Sequence, residues 1–231
     1  MSTRSNHLWY LTSTEQARLI KMREISPVDL MKASLERIER YDPTLKAWIT
    51  VKGEQALQEA REAEGEIASG KYRGRLHGLP YGVKDQMHAL GFPTTLGTRV
   101  LDEHEMAPPY TSTVISRLTD AGAILIGKQN LHEWGKGGAI DFPYGHPRNP
   151  WNPTYDASSS STGSGIATAQ PSWATRATRA QASSNNLSRP ILTIESGVPA
   201  AGYTISKRSS ESSASTGSSA GNPKGQTPPI A

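Results

Sequence analysis

Hydrophobic periodicity runs through this chain as far as Ala169 and then stops, and that break bounds what can fold. Up to Ala169, apolar residues recur at helical spacing or gather in short runs bounded by glycine. From Gln170 to Ala231 there are 13 serines and only two aromatic residues, Trp173 and Tyr203. Such a composition offers too little apolar surface to offset the entropy lost on ordering. Residues 1–169 are therefore expected to form the folded unit, and residues 170–231 a disordered tail. Charge divides at the same place. The tail carries six basic residues against two acidic ones, so the whole net charge of +4 resides there. A basic excess confined to a solvated serine-rich tail is not a nucleic-acid footprint, and no specific nucleic-acid partner is expected. An interaction role for the tail has no recognisable motif behind it.

The chain has no cysteine, which excludes disulfides, thiolate metal sites and a cysteine nucleophile. Its six histidines (His7, His77, His88, His104, His132 and His146) show no ligand spacing, so no metal site is expected. No window approaches the roughly 20 apolar residues needed to span a bilayer, and the N-terminus has no apolar core of signal-peptide length. A soluble cytoplasmic protein is the resulting expectation.

Thr12 to about Ile20 reads as a helix with Thr12 and Glu15 in capping-box positions. A second helix starts at Ser26, with Pro27 at its first position, Asp29 in the first turn, and Leu30, Met31, Leu35 and Ile38 at helical spacing. Asp42-Pro43 is expected to end it. Glu54 to Ser69 is a third helix with a narrow stripe of Leu57, Ala60, Ala63 and Ile67. Leu79–Val83 and Ala123–Gly127 read as buried strands. The segment Thr111–Ala121 between them is helical, with Val114, Ile115 and Leu118 inward and Gly122 as its stop. Helix followed at once by strand, with no polar face alternating, predicts an α/β arrangement with a sheet covered on both sides.

Two segments carry chemistry. In Gly78-Leu-Pro-Tyr-Gly-Val-Lys-Asp85 a lysine closes an apolar run. Desolvation would lower its pKa from about 10.4 and let the neutral amine accept a proton. A strand-end lysine with its head in water is the other open reading. In Ser158-Ser-Ser-Ser-Thr-Gly-Ser-Gly165, hydroxyls can relay protons, and small residues let backbone N–H groups approach an oxyanion. A flexible linker fits the same composition. Its setting, between Asn149-Pro-Trp-Asn-Pro153 and the helix-like start Gly165-Ile-Ala-Thr-Ala169, argues against that.

Further segments accompany these two: Thr94-Thr95 with Gly97, Ala121-Gly-Ala-Ile-Leu-Ile-Gly-Lys-Gln-Asn-Leu-His-Glu-Trp134, and Pro147-Arg-Asn-Pro-Trp-Asn152. In order and spacing, over roughly residues 10–169, they resemble the amidase signature family, which hydrolyses carboxamides and related bonds. The resemblance implies a mixed sheet between helices, here incomplete, and a Ser–cis-Ser–Lys triad. Lys84 matches the general base. Ser160 falls on the relay serine, whose preceding peptide bond is cis in the family. No metal or organic cofactor is implied, and the implied substrate is a small-molecule amide. The implied alternative is the amidase component (A-subunit) of an amidotransferase, which would need further protein partners. Thr162 and the first two serines stand where the family's loop carries glycine, which questions the loop's backbone.

The nucleophile segment of the family, like G-x-D-T-G-G-S-I-R, should follow within about two dozen residues, and it does not. Spacing alone selects Ser184, whose neighbours Ser183 and Asn185 supply no glycine turn. Read from the third base of each codon with suitable synonymous codons, Ser172 to Ser183 can spell L-G-D-T-G-D-T-G-A-S-I. That places a frame slip near Ala169 to Pro171. The chain is thus expected to be a truncated or frame-shifted amidase, inactive as it stands. Loss of the remaining strands is expected to leave the sheet with an unpaired apolar edge.

Overall fold

The computed structural model describes residue 8 and residues 10–101, 103–136, 141–157, 160–168 and 192–194. Its first helix, α1 (Ser13–Lys21), begins as the sequence predicts. The Thr12 hydroxyl accepts from the Glu15 N–H, and the Glu15 carboxylate accepts from the Thr12 N–H. Helix α2 (Pro27–Leu45) is capped by Ser26, which accepts from the N–H groups of Val28 and Asp29. It does not end at Asp42-Pro43. Pro43 lies within the last turn, where it removes one backbone bond, and the helix ends only at Lys46, in the left-handed conformation at φ 54°. The Asp42 carboxylate then takes the N–H groups of Ala47 and Trp48 at 2.6 and 3.1 Å, turning the chain into a strand.

That strand, β1 (Trp48–Val51), is followed by helix α3 (Gly53–Ala68), strand β2 (Pro80–Lys84) and a short helix α4 (Glu103–Met106). Helix α5 (Thr113–Asp120), strand β3 (Ile124–Gln129) and strand β4 (Leu192–Ile194) complete the named elements, and residues 162–168 are also helical. The sheet order is β1-β3-β2-β4. β3 runs parallel to β2 and antiparallel to β1, and β4 runs parallel to β2, so the sheet is mixed.

One face of the sheet packs on α2, α3 and residues 162–168 through Met31, Ile38, Ala56, Ala60, Ile126 and Ile166. The opposite face joins Tyr81, Val83 and Leu125 to Ile115 of α5 and to Phe92. Full burial of each Ile, Leu, Val, Met or Phe side chain among these contributes about 1.5–3 kcal/mol. Val114 is not inward as expected: it is 37% exposed, because the eight residues of α5 turn only Ile115 fully toward the sheet. Nor is the apolar pair β2–β3 an unpaired edge, since β1 covers the outer side of β3 and β4 the outer side of β2. Apart from Leu192–Ile194, the tail lies outside the described residues, and so does Ser184.

β3 also runs two residues further than its apolar pattern. The β2–β3 register steps from Tyr81↔Leu125 to Gly82↔Gly127 and so skips Ile126. A bulge of this kind re-phases every side chain after it. Lys128 comes to lie opposite Val83, and Gln129 opposite Lys84. Both polar residues are fully buried, and both find partners at the strand ends.

Candidate active site

The C-terminal ends of β2 and β3 position the site. Lys84, the last residue of β2, is 4% exposed. The next backbone N–H, that of Asp85, bonds to the Gln129 carbonyl at 3.0 Å, which fixes the strand end. From there the Lys84 Nζ donates to the Ser160 Oγ at 3.0 Å. The two residues lie 76 positions apart in the chain, and only the fold unites them.

Ser160 is held from β3 and the turn after it. The His132 N–H donates to the Ser160 carbonyl at 3.1 Å. The Gly163 N–H donates to the Asn130 carbonyl at 2.8 Å, and the Thr162 hydroxyl donates to the same oxygen at 3.3 Å. The Ser164 hydroxyl donates to Gln129 Oε1 at 2.9 Å. Gly163 is the position where a side chain is forbidden: a Cβ there would stand 2.2 Å from the Ala47 carbonyl oxygen and 2.5 Å from the Asn130 nitrogen. Thr162 replaces a family glycine without such a conflict, because its buried side chain bonds to Asn130 instead. The peptide bond preceding Ser160 involves Ser159, which lies outside the described residues.

A second constellation lies across the sheet. Lys128 and Asp85, both fully buried, form an ion pair at 2.9 Å. The Lys128 Nζ also donates to the Pro93 carbonyl and the Thr94 hydroxyl, both at 3.1 Å. The other Asp85 oxygen accepts from the Thr95 N–H at 2.9 Å and from its hydroxyl at 2.5 Å. Burial pushes the Asp85 carboxyl above its usual range and the Lys128 ammonium below its own, while the attraction between them opposes both shifts. This network pins the 94–98 loop under the strand end that carries Lys84. From the sequence, Thr94, Thr95 and Gly97 stand out only as matching residues, and Asp85 and Lys128 receive no role. A usable signal was present: both apolar runs close on a lysine, Val83-Lys84 and Gly127-Lys128.

His132 adds a further titratable group beside the pair. Burial lowers its pKa, with His146 and Lys84 pushing the same way and Asp156 opposing. Its ring stands edge-on to Phe142, which in turn meets His146, and His146 pairs with Asp156 at 2.6 Å. A cavity of about 990 Å³ between α1, α2 and α3 lies apart from this chemistry, with neither Lys84 nor Ser160 in its lining. Among the described residues no helix is long and apolar enough to cross a membrane.

Comparison with known proteins finds relatives over the same part of the chain. The amidase family model matches residues 29–173. A Mycobacterium tuberculosis protein named as amidase AmiD is 42% identical over 161 residues, covering 69% of this chain and 33% of the relative. The A-subunit of the glutamyl-tRNA(Gln) amidotransferase of Carboxydothermus hydrogenoformans is 40% identical over 146 residues, covering 63% of this chain and 30% of the relative. Among solved structures, the peptide amidase of Stenotrophomonas maltophilia superposes with a TM-score of 0.63 at 32% identity, over 68% of this chain and 34% of that one. A bacterial aryl acylamidase of the amidase signature family gives 0.65 at 30% identity, over 70% and 34%. The chain thus spans about a third of the length of the curated relatives it matches.

Proposed function

The chain belongs to the amidase family, and on that footing we propose that Lys84 and Ser160 are the base and relay of a Ser–cis-Ser–Lys device for hydrolysing carbon–nitrogen bonds. The observation that carries this reading is the 3.0 Å contact between the Lys84 Nζ and the Ser160 Oγ. In the complete device, deprotonated Lys84 draws a proton through Ser160 from a third serine, whose oxygen attacks the amide carbon. The same path returns the proton to the departing nitrogen, releasing ammonia or an amine. Water then hydrolyses the acyl-serine to the carboxylic acid. No step needs a metal or an organic cofactor.

The third serine is what this chain lacks. No segment like G-x-D-T-G-G-S-I-R follows Ala169, and Ser184 is favoured by spacing alone. We therefore expect negligible turnover of amides by the chain as it stands. Assay of the purified protein against a panel of aliphatic and aromatic amides tests this. Turnover that disappears in Ser184→Ala would overturn it and make the tail serine the nucleophile. A second reading is favoured by the 40% identity to an amidotransferase component. The same base and relay would then supply ammonia within a larger assembly, and the chain would require protein partners.

A further inference from the structure

In the full device a relay serine passes its proton demand onward, but here no family-like nucleophile segment follows it. We infer that in this chain Ser160 is itself the nucleophile, with Lys84 as its base, and that the pair accepts acyl groups from esters with good leaving groups. The inference rests on the reading of Lys84 as a base and reverses the role of Ser160.

Three features carry it. The first is distance: 3.0 Å between the Lys84 Nζ and the Ser160 Oγ is nucleophile–base contact, and serine–lysine pairs act as complete devices on unrelated folds. The second is fixity. Lys84 projects from a buried strand end held by the Asp85 N–H, while Ser160 is held through its own carbonyl by the His132 N–H. Neither partner needs to reorganise before transfer. The third is room. Ser160 is only half-buried, so its hydroxyl is not sealed within the core.

The step is an ordinary acyl transfer. The Ser160 oxygen bonds to the ester carbonyl carbon while its proton passes to deprotonated Lys84. The tetrahedral adduct expels the alkoxide or phenolate, and the proton on Lys84 leaves with it or passes to solvent. Water then attacks the acyl-Ser160 ester, Lys84 again takes the proton, and the acid and free Ser160 result. Amides are poor donors for such a pair, because an amine must be protonated as it departs, whereas a nitrophenolate leaves as the anion.

The test uses the whole 231-residue chain with p-nitrophenyl acetate and, separately, a fluorophosphonate probe. Nitrophenolate release is followed, and the adduct is located by peptide mass mapping. The expected result is a burst of about one equivalent followed by slow turnover, with the adduct on Ser160. Ser160→Ala should carry no adduct there, and Lys84→Met should acylate about 100-fold more slowly or worse. Lys84→Arg keeps the positive charge but cannot deprotonate, so it should fail like Lys84→Met if Lys84 is a base. Circular dichroism and melting of each variant separate loss of chemistry from loss of fold. Acylation confined to other residues, or an unchanged rate in both Lys84 variants, overturns the inference. A frame-restored protein distinguishes the two readings. Lys84-dependent amide turnover there, with Ser160 unlabelled here, defeats the serine–lysine pair alone. Ser160 labelling here, with no amide turnover there, defeats the triad reading alone.

Discussion

Lys84 and Lys128 lie at the C-terminal ends of adjacent parallel strands, the last and the penultimate residue respectively, and are both buried, yet they face opposite sides of the sheet and meet opposite chemistry. Lys128 is locked to a carboxylate, a hydroxyl and a carbonyl. Lys84 donates to the hydroxyl of a serine. A buried ammonium facing a carboxylate is a structural strut, because removing either charge strands the other in low dielectric. A buried amine facing a hydroxyl can, when neutral, take the hydroxyl's proton as its oxygen bonds to another atom, which is what a general base must do. On the proposed reading, the two lysines separate what holds the site from what would perform its chemistry.

Substitution of each lysine by methionine sharpens that division most. Lys128→Met leaves the Asp85 carboxylate buried without its ammonium and should destabilise the fold by about 3–5 kcal/mol. Lys84→Met removes, among its contacts, the hydrogen bond to Ser160, which contributes about 1 kcal/mol, and should cost less than Lys128→Met. Urea denaturation of the two variants makes the comparison directly. Equal losses would mean that Lys84 is a strut as well.

Gly163→Ala probes the link between the two sides. Its Cβ would meet the backbone of Ala47 and Asn130, which cannot give way as a side-chain tip can. A cost of about 1–3 kcal/mol is expected, together with loss of Ser160 acylation as residues 162–168 are pushed off β3. Full labelling in this variant would show that the serine segment is not positioned from Asn130. A milder version is Ser164→Ala, which removes the hydroxyl that donates to Gln129 and should cost about 1 kcal/mol in the same measurement.

The smallest effect concerns pH. Burial is the largest cause holding the pKa values of His77 and His132 below the ordinary 6.5. The unfolded chain therefore binds these protons first on acidification. Stability is fully present above the unfolded value, is lost as the pH falls through it, and levels off below the lowered folded values. Melting temperature should thus fall gradually from pH 7.5 to pH 5, and His77→Gln should flatten part of the slope. A melting temperature that rises on acidification over this range would contradict the assignment.

Much of the scaffold was legible in the sequence because its signals are local. Thr12 with Glu15 and Ser26 with Pro27 fix two helix starts through bonds within four residues. The runs that became β2 and β3 are apolar and glycine-bounded. What escaped depends on partners distant in sequence. β1 has four residues and gains its identity only by pairing with β3. The Asp85–Lys128 pair requires the skipped Ile126, and no periodicity within either strand encodes that bulge. Pro43 misled for a related reason: Asp42 caps the chain beyond it, so the helix persists one turn further than the proline alone allows. Of the site itself, the juxtaposition of Lys84 with Ser160 was legible through family resemblance, and their catalytic roles remain the proposal.

On the proposed reading, residues up to Ala169 carry a preformed base and relay that await a nucleophile. Shifting the reading frame between codons 169 and 171, where the sequence reading places a frame slip, and measuring amide turnover of the product is the direct test. The expected product is a longer protein that hydrolyses amides and loses at least about 100-fold in rate in either Lys84→Met or Ser160→Ala. An early stop codon, a product without a glycine-rich serine segment after Ala169, or turnover unaffected by Lys84→Met would contradict it.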